Sequence, residues 1–310
     1  MLEVVSLSKD FKKHKAVEGV NIFLEKGETV GLLGPNGAGK STIISMISSL
    51  ISPSEGDVRL HNDSILKHPQ MLRKVLGVVP QEIALYNDLT ARENLEFFGK
   101  IHRLRGKALK DKIADILDQI GLKERQNDVV KTFSGGMKRR LNIGVALLHD
   151  PEILIMDEPT VGIDPQSRNY ILEQVKRLNR EKNMTILYTS HYMEEVEFLC
   201  DRIYIMDKGH IIASGTKDEI KSILSAESTI LIKLERSSDA FVDRLKEIAY
   251  LKTVTSQDKE VTVVVPKEVH PFNQIFQIAD ETGATIVTID RKTATLEDVF
   301  LHLTGRALRD

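Results

Sequence analysis

The sequence predicts an α/β fold built on a mainly parallel sheet, followed by a smaller α+β domain. Three observations carry this. Short apolar, β-rich runs recur over residues 1–60 and again, alternating with helical segments, from residue 151, as in a sheet covered by helices. One run, Glu28-Thr29-Val30-Gly31-Leu32-Leu33, leads straight into Gly34-Pro35-Asn36-Gly37-Ala38-Gly39-Lys40-Ser41-Thr42. Beyond Gly215-Thr216-Lys217-Asp218 the element order becomes β-α-β-β-α-β, the order of a ferredoxin-like domain.

Taken along the chain, β-rich runs at 2–7, 20–24, 30–33 and 58–60 are separated by turns carrying glycine or charge, and 43–50 reads as an apolar helix. From about 90 to 150 the pattern is helical. Thr90 and Glu93 form a capping-box signature ahead of Leu95 and Phe98, and Ile113, Ile116, Leu117 and Ile120 follow helical spacing. Strands at 153–156, 185–188 and 203–206 and a helix at 169–179 resume the sheet. The second domain reads as strands at 229–235, 251–256, 260–265 and 285–290 with helices at 239–249, at 270–282 and from Leu296.

A length of 310 residues fits about two domains. The hydrophobic fraction of 41% and charged fraction of 28% are those of an ordinary globular protein. A formal net charge of −2 offers no electrostatic reason for nucleic-acid binding. Cys200 is the lone cysteine, which excludes an internal disulfide framework and suits a reducing compartment; it reads as a small buried residue. No stretch approaches the ~20 apolar residues that cross a bilayer, and Met1-Leu2-Glu3-Val4-Val5 lacks the pattern of a signal peptide. If membranes matter, another chain must cross them.

The chemistry is concentrated in three segments. In residues 34–42, three glycines let the loop curl around phosphate oxygens while Lys40 and Ser41 follow where a helix begins. Lys40 is placed to reach the β- and γ-phosphates, the Ser41 hydroxyl to ligate Mg2+, and Thr42 to sit against an inner phosphate. The second segment, Ile153-Leu154-Ile155-Met156-Asp157-Glu158, is an apolar strand ending in two acids. Carboxylates at the ligand edge of a buried sheet call for a cation. Asp157 would hold Mg2+ directly or indirectly, and Glu158, on the alternate side, would orient and polarise an attacking water. The third, Phe133-Ser134-Gly135-Gly136-Met137-Lys138-Arg139-Arg140, opens a helix with an apolar face through Leu141, Val145 and Leu148, so its amides form another anion-binding end.

These segments lie in one order with Gln81 in Val78-Val79-Pro80-Gln81, Asp157-Glu158-Pro159-Thr160, Gly162-Ile163-Asp164 and His191 in Tyr188-Thr189-Ser190-His191. That order resembles the nucleotide-binding subunit of an ATP-binding cassette (ABC) transporter. The tail from Thr295 to Gly305 resembles that of the drug-resistance ATPase branch serving ABC-2-type exporters. The resemblance implies a P-loop core with an N-terminal antiparallel β subdomain and a helical subdomain at about 88–150, together forming a cassette over 1–220, with 221–310 as an accessory domain. It implies ATP and Mg2+ as ligands. Phe11, in place of a more usual Tyr, would stack on adenine. The nucleotide would also be held by residues 34–42, by Ser134, Gly135 and Gly136, and by Asp164. Gln81 would touch Mg2+ and the attacking water while sensing the membrane subunit, and His191 would contact the γ-phosphate. The signature usually reads Leu-Ser-Gly-Gly-Gln, whereas Phe133 and Met137 occupy its outer positions here, at the expense of one amide contact.

In the family Ser134 would face a partner's nucleotide, so two chains would sandwich two ATP molecules. The implied partners are a second ATP-binding subunit, with a homodimer expected, and a separate membrane permease docked near Gln81 and residues 85–98. The chain would then sit peripherally on the cytoplasmic face of the membrane. The implied activity is export of a hydrophobic antibiotic or similar amphiphile. Two alternatives fit less well. Ribosome-acting relatives carry two cassettes on one chain and the DNA-repair type separates its motifs by long coiled coil, while importer subunits carry a larger β-barrel accessory domain. Finally, the basic runs Lys12-Lys13-His14-Lys15 and Lys138-Arg139-Arg140 are read as a solvated loop and helix face and no nucleic-acid partner is expected.

Overall fold

The structure, a computed structural model, describes residues 1–12, 14–224, 227–292 and 295–305. The chain divides into two units, Met1–Lys217 and Asp218–Leu303. The first begins with β1 (Leu2–Phe11), β2 (His14–Leu24), β3 (Thr29–Leu33), α1 (Lys40–Ile47), β4 (Glu55–Leu60), β5 (Asp63–Ser64), α2 (Pro69–Val75) and β6 (Leu76–Val79). Three helices follow, α3 (Ala91–Ile101), α4 (Gly106–Gln119) and α5 (Gly135–Ala146). Then come β7 (Ile153–Met156), α6 (Pro165–Lys182), β8 (Thr185–Thr189), α7 (Met193–Leu199), β9 (Arg202–Asp207) and β10 (His210–Thr216), after which α8 (Lys217–Ser222) opens the second unit.

Two sheets share this unit. Strands β2-β1-β4-β5 pair antiparallel. The β1–β2 hairpin runs further than its apolar pattern predicts, because its exposed end carries Lys9, Asp10, His14 and Lys15, which hide a strand signal. Lys13, part of the basic run, lies outside the described residues. The larger sheet has the order β10-β9-β3-β8-β7-β6, parallel except for the β10 edge. Every residue of β3, β7 and β8 is buried, which explains their unbroken apolar runs, since a parallel sheet is covered on both faces. The carboxyl ends of these three strands share one edge, the edge at which such sheets take ligands.

Thr90 starts α3 as the sequence predicts: its Oγ1 accepts from the Glu93 N–H at 3.1 Å and Glu93 accepts from the Thr90 N–H at 2.8 Å. Leu95, Ile113, Ile116, Leu117 and Ile120 are all buried in the helical insertion. Asp164 caps α6 with Pro165 at its first position, where a missing N–H costs nothing. Among the described residues no helix is long and apolar enough to cross a membrane.

The second unit contains β11 (Glu227–Leu234), α9 (Asp239–Lys246), β12 (Thr253–Gln257), β13 (Glu260–Pro266), α10 (Phe272–Thr282), β14 (Ile286–Lys292) and α11 (Leu296–Thr304). Its sheet order is β12-β13-β11-β14, antiparallel throughout, as a ferredoxin-like domain requires. Ile230, Ile232, Val263 and Val265 from the sheet pack with Phe241 and Leu245 of α9 and Ile275 of α10. Inward alternation along β13 (Val261, Val263, Val265) supplies the sheet side of that core.

Candidate active site

The loop after β3 is shaped by its backbone. Gly37 (φ 79°) and Gly39 (φ 107°) adopt left-handed conformations that side chains disfavour. At Gly39 a Cβ would also lie 2.5 Å from the Ala16 carbonyl oxygen. The Ala38 N–H closes the loop on the Pro35 carbonyl at 3.1 Å. Helix α1 then starts at Lys40 with no side-chain cap, which leaves its first-turn amides to an anion that the helix dipole also favours.

Lys40 is only 6% exposed. Its Nζ donates to the carbonyls of Gly34 at 2.7 Å and Pro35 at 3.2 Å, and lies 3.6 Å from Glu158 Oε1. Burial holds its pKa below the ordinary lysine value, and the nearby Glu158 and Asp157 charges oppose that shift. A cleft of about 450 Å³ opens beside it, lined by residues 36–42 with Phe11, His14, Ala16, Gln81 and Glu158. Phe11 is half-exposed at the tip of the β1–β2 hairpin, opposite His14.

Strand β8 separates β3 from β7, and its last residue organises the acidic pair. Thr189 Oγ1 accepts from the Glu158 N–H at 2.9 Å and donates to Asp157 Oδ1 at 2.8 Å. Glu158 itself has φ 45°, a conformation that costs a non-glycine residue about 1–3 kcal/mol and clusters at functional sites. Its carboxylate is approached by three groups from different elements: Gln81 Nε2 at 3.3 Å, His191 Nδ1 at 3.5 Å and Lys40 Nζ at 3.6 Å. The loop lysine, Gln81, Asp157, Glu158 and His191 therefore form one constellation at the sheet edge.

Ser134, Gly135, Gly136 and Asp164 do not line that cleft. They form a second group on the helical insertion and the start of α6. Ser134 Oγ accepts from the Met137 N–H at 3.2 Å, and Asp164 Oδ1 accepts from the Ser167 N–H at 2.9 Å. Bonds from Ser167 hold the Asp164 carboxyl below the usual aspartate value. Gly136 lies so close to Ser167 that a Cβ would overlap that side chain. The resemblance already sets Ser134 apart from its own chain's loop; the structure adds Asp164, at the cap of α6 beside Gly136, to this second group.

One expectation is corrected. The run Lys138-Arg139-Arg140 does not present a solvated face: Arg139 is 4% exposed, and it donates from Nη1 to the Pro80 carbonyl at 2.7 Å and from Nη2 to the Gln81 carbonyl at 2.6 Å. Helical spacing puts Arg139 on the inner face of α5 with Gly136, Asn142 and Ile143. Net charge along a run cannot reveal that. Arg140 lies against the Tyr170 ring, 4.7 Å from its centroid.

Sequence reasoning also passes over Glu195. This carboxylate is 2% exposed, and its Oε2 accepts from Thr160 Oγ1 (2.9 Å), Tyr188 Oη (2.9 Å) and Ser190 Oγ (2.7 Å). Arg168 Nε stands 3.5 Å from the other oxygen. Glu195 thus ties the segment after Glu158 to the segment before His191. The signal that marks it is a carboxylate on the buried side of α7, next to the exposed Glu194. Cys200, as expected, is fully buried, and its thiol is pushed far above its usual range.

A glycine-shaped anion loop with a buried lysine, set against a strand-end Asp-Glu pair and broken by a helical insertion, defines a P-loop ATPase. The family model described as ABC transporter matches residues 17–161. Over 312 residues, all of both chains, this protein is 47% identical to the "Linearmycin resistance ATP-binding protein LnrL" of Bacillus subtilis (strain 168). It is 32% identical to the "Daunorubicin/doxorubicin resistance ATP-binding protein DrrA" of Streptomyces peucetius, over all of this chain and 94% of that one. The dimeric post-hydrolysis structure of the ATP-binding cassette MJ0796 bound to ADP and Pi superposes with a TM-score of 0.64 at 28% identity, covering 70% of this chain and 98% of that one. The chain belongs to the ABC transporter family, as an ATP-binding subunit.

Proposed function

We propose that this chain binds and hydrolyses ATP to power an ABC-2-type exporter that removes a hydrophobic antibiotic or similar amphiphile through a separate membrane permease. The observation that carries this reading is likeness over the whole length, beyond the cassette, to a linearmycin-resistance subunit. A protein named "Nod factor export ATP-binding protein I" from Ralstonia nicotianae (strain ATCC BAA-1114 / GMI1000), 34% identical over the full chain, supports export as the direction. The chain would act at the cytoplasmic face of the membrane, held there by the permease.

The triphosphate would lie along residues 36–42 with adenine against Phe11. Ser41 and Gln81 line the cleft and Asp157 lies behind Glu158, tied to it through Thr189; their hydroxyl, amide and carboxylate are hard oxygen donors that suit Mg2+, which would supply charge neutralisation at the β- and γ-phosphates. Lys40, whose Nζ rests on loop carbonyls, would turn to phosphate oxygens when these arrive. Glu158 would take a proton from the attacking water as the water oxygen bonds to the γ-phosphorus and the bond to the ADP oxygen breaks. His191 and Gln81, both within 3.5 Å of that carboxylate, would hold the γ-phosphate and water in line.

Because Ser134, Gly135 and Gly136 stand away from the cleft, this reading needs a second subunit, whose signature segment would close each site; a homodimer is the simplest form. ATP would then join the subunits and hydrolysis release them. The permease would dock near Gln81 and residues 85–98, where Tyr86, Phe97 and Phe98 form an aromatic cluster with Tyr86–Phe97 ring centroids 4.8 Å apart. Tyr86 and Phe97 are both exposed large side chains, as a docking face requires. Affinity purification from detergent-treated membranes tests this, with recovery of a polytopic membrane protein expected and a deletion strain expected to gain sensitivity to amphiphilic antibiotics. Recovery of ribosomes or DNA without a membrane protein would overturn it.

A further inference from the structure

The buried guanidinium of Arg139 links two clusters that lie apart. It belongs to α5, whose first turn carries Gly135 and Gly136 and whose cap is Ser134. Its two terminal nitrogens grip consecutive carbonyls, those of Pro80 and Gln81. The side chain of Gln81, on the very residue gripped, donates to Glu158 at 3.3 Å. A continuous path therefore runs from the signature segment through Arg139 and Gln81 to the carboxylate at the catalytic edge.

The chemistry of the grip argues for direction as well as cohesion. Among the described residues no carboxylate stands within ion-pair distance of Arg139; burial lowers its pKa and the Asp157 charge opposes that only from a distance, so the direct partners of a buried cation are neutral carbonyls, an expensive way merely to fasten a loop. A planar guanidinium holding two successive carbonyls fixes both the position and the rotation of that backbone. If α5 shifts when its first turn meets a nucleotide, the Gln81 backbone must shift with it or break two bonds of 2.7 and 2.6 Å.

We propose that Arg139 is a positioning residue that couples the two ATP sites of the dimer, transmitting the seating of one chain's signature segment on the partner's nucleotide to the Gln81–Glu158 contact in its own site. This rests on the two-site reading above. It predicts that Arg139 acts on turnover and on communication between sites, not on nucleotide affinity.

The test is steady-state ATP hydrolysis by purified full-length chain carrying Arg139→Met or Arg139→Lys, with nucleotide affinity measured separately by a fluorescent ATP analogue. Arg139→Met is expected to keep that affinity, to lose about tenfold in kcat, and to bring the Hill coefficient for ATP toward unity, since two charge-assisted hydrogen bonds disappear. Arg139→Lys, a single point donor, is expected to fold and give an intermediate kcat and Hill coefficient. Wild-type values in either variant, or affinity and turnover falling in parallel, would overturn the proposal. So would failure of both variants to fold, which would make Arg139 a residue of the core alone. Absence of ATPase activity in the unaltered chain would instead strike the proposed function.

Discussion

The Thr189 hydroxyl is held by Asp157: it donates to the carboxylate at 2.8 Å while accepting from the neighbouring Glu158 N–H at 2.9 Å. One side chain thus orients the Asp157 carboxylate and pins the Glu158 backbone, and it does so from the strand inserted between the anion loop and the acidic strand. Thr189→Val keeps shape and removes both bonds. The expected result is a fall in kcat of about ten- to a hundredfold, the worth of a hydrogen bond to a charged group. Nucleotide affinity should hardly change, and comparing kcat with ATP-analogue binding checks this.

Glu195 should matter to stability first. Glu195→Ala leaves the hydroxyls of Thr160, Tyr188 and Ser190 and the Arg168 guanidinium without their common acceptor, at a cost of about 3–5 kcal/mol. Glu195→Gln retains one carbonyl oxygen and should cost about 1 kcal/mol. Chemical denaturation followed by tryptophan-free probes such as far-UV circular dichroism measures both.

Gly39→Ala should abolish nucleotide binding. The substitution brings a Cβ to 2.5 Å from the Ala16 carbonyl oxygen at φ 107°, and neither backbone can yield without moving the loop proposed to receive phosphate. Equilibrium binding of labelled ATP is the readout, and Gly37→Ala, with open space around its Cβ, should be the milder variant.

A pH dependence follows from two stacked rings. His102 and His149 lie 4.1 Å apart and parallel. The His149 Nε2 lies 3.0 Å from the Leu76 carbonyl, and its Nδ1 is buried without a partner among the described residues. Burial holds both histidines below the ordinary value of 6.5, and for His102 the neighbouring His149 adds to this. At His149 the bond to the Leu76 carbonyl and then Asp150 oppose the shift, while Lys112 reinforces it. A depressed histidine pKa means that the unfolded chain takes up protons first as pH falls. The pair's contribution is thus whole above pH ~6.5 and is lost as pH drops through the folded values. His102, on the solvent side of the stack, carries the smaller share. Thermal melting from pH 7.5 to pH ~5.5 should show a larger drop for the unaltered chain than for His149→Gln.

Much of the candidate site is legible because its parts are local. The anion loop lies within residues 34–42, and Asp157 and Glu158 are adjacent at the end of a wholly apolar strand. The ferredoxin-like order of the second unit was readable for the same reason, from alternation along each strand. What stayed hidden depends on contacts between distant residues. Thr189 is 32 positions from Asp157, Glu195 is 35 from Thr160, and Arg139 is 58 from Gln81. Each looks ordinary in sequence: a threonine in an apolar strand, one glutamate of a pair, the middle of a basic run. Only the packing of α5 and α7 onto the sheet separates them from their solvated neighbours.

The central claim is that Glu158 activates the water in a site completed by a second chain. Glu158→Gln keeps the shape of the side chain and removes the base. ATPase turnover and light-scattering mass should be measured on this variant with Mg2+ and ATP. The account predicts intact ATP binding, no measurable hydrolysis and accumulation of an ATP-bound dimer. Undiminished hydrolysis, or an ATP-loaded chain that stays monomeric, would contradict it.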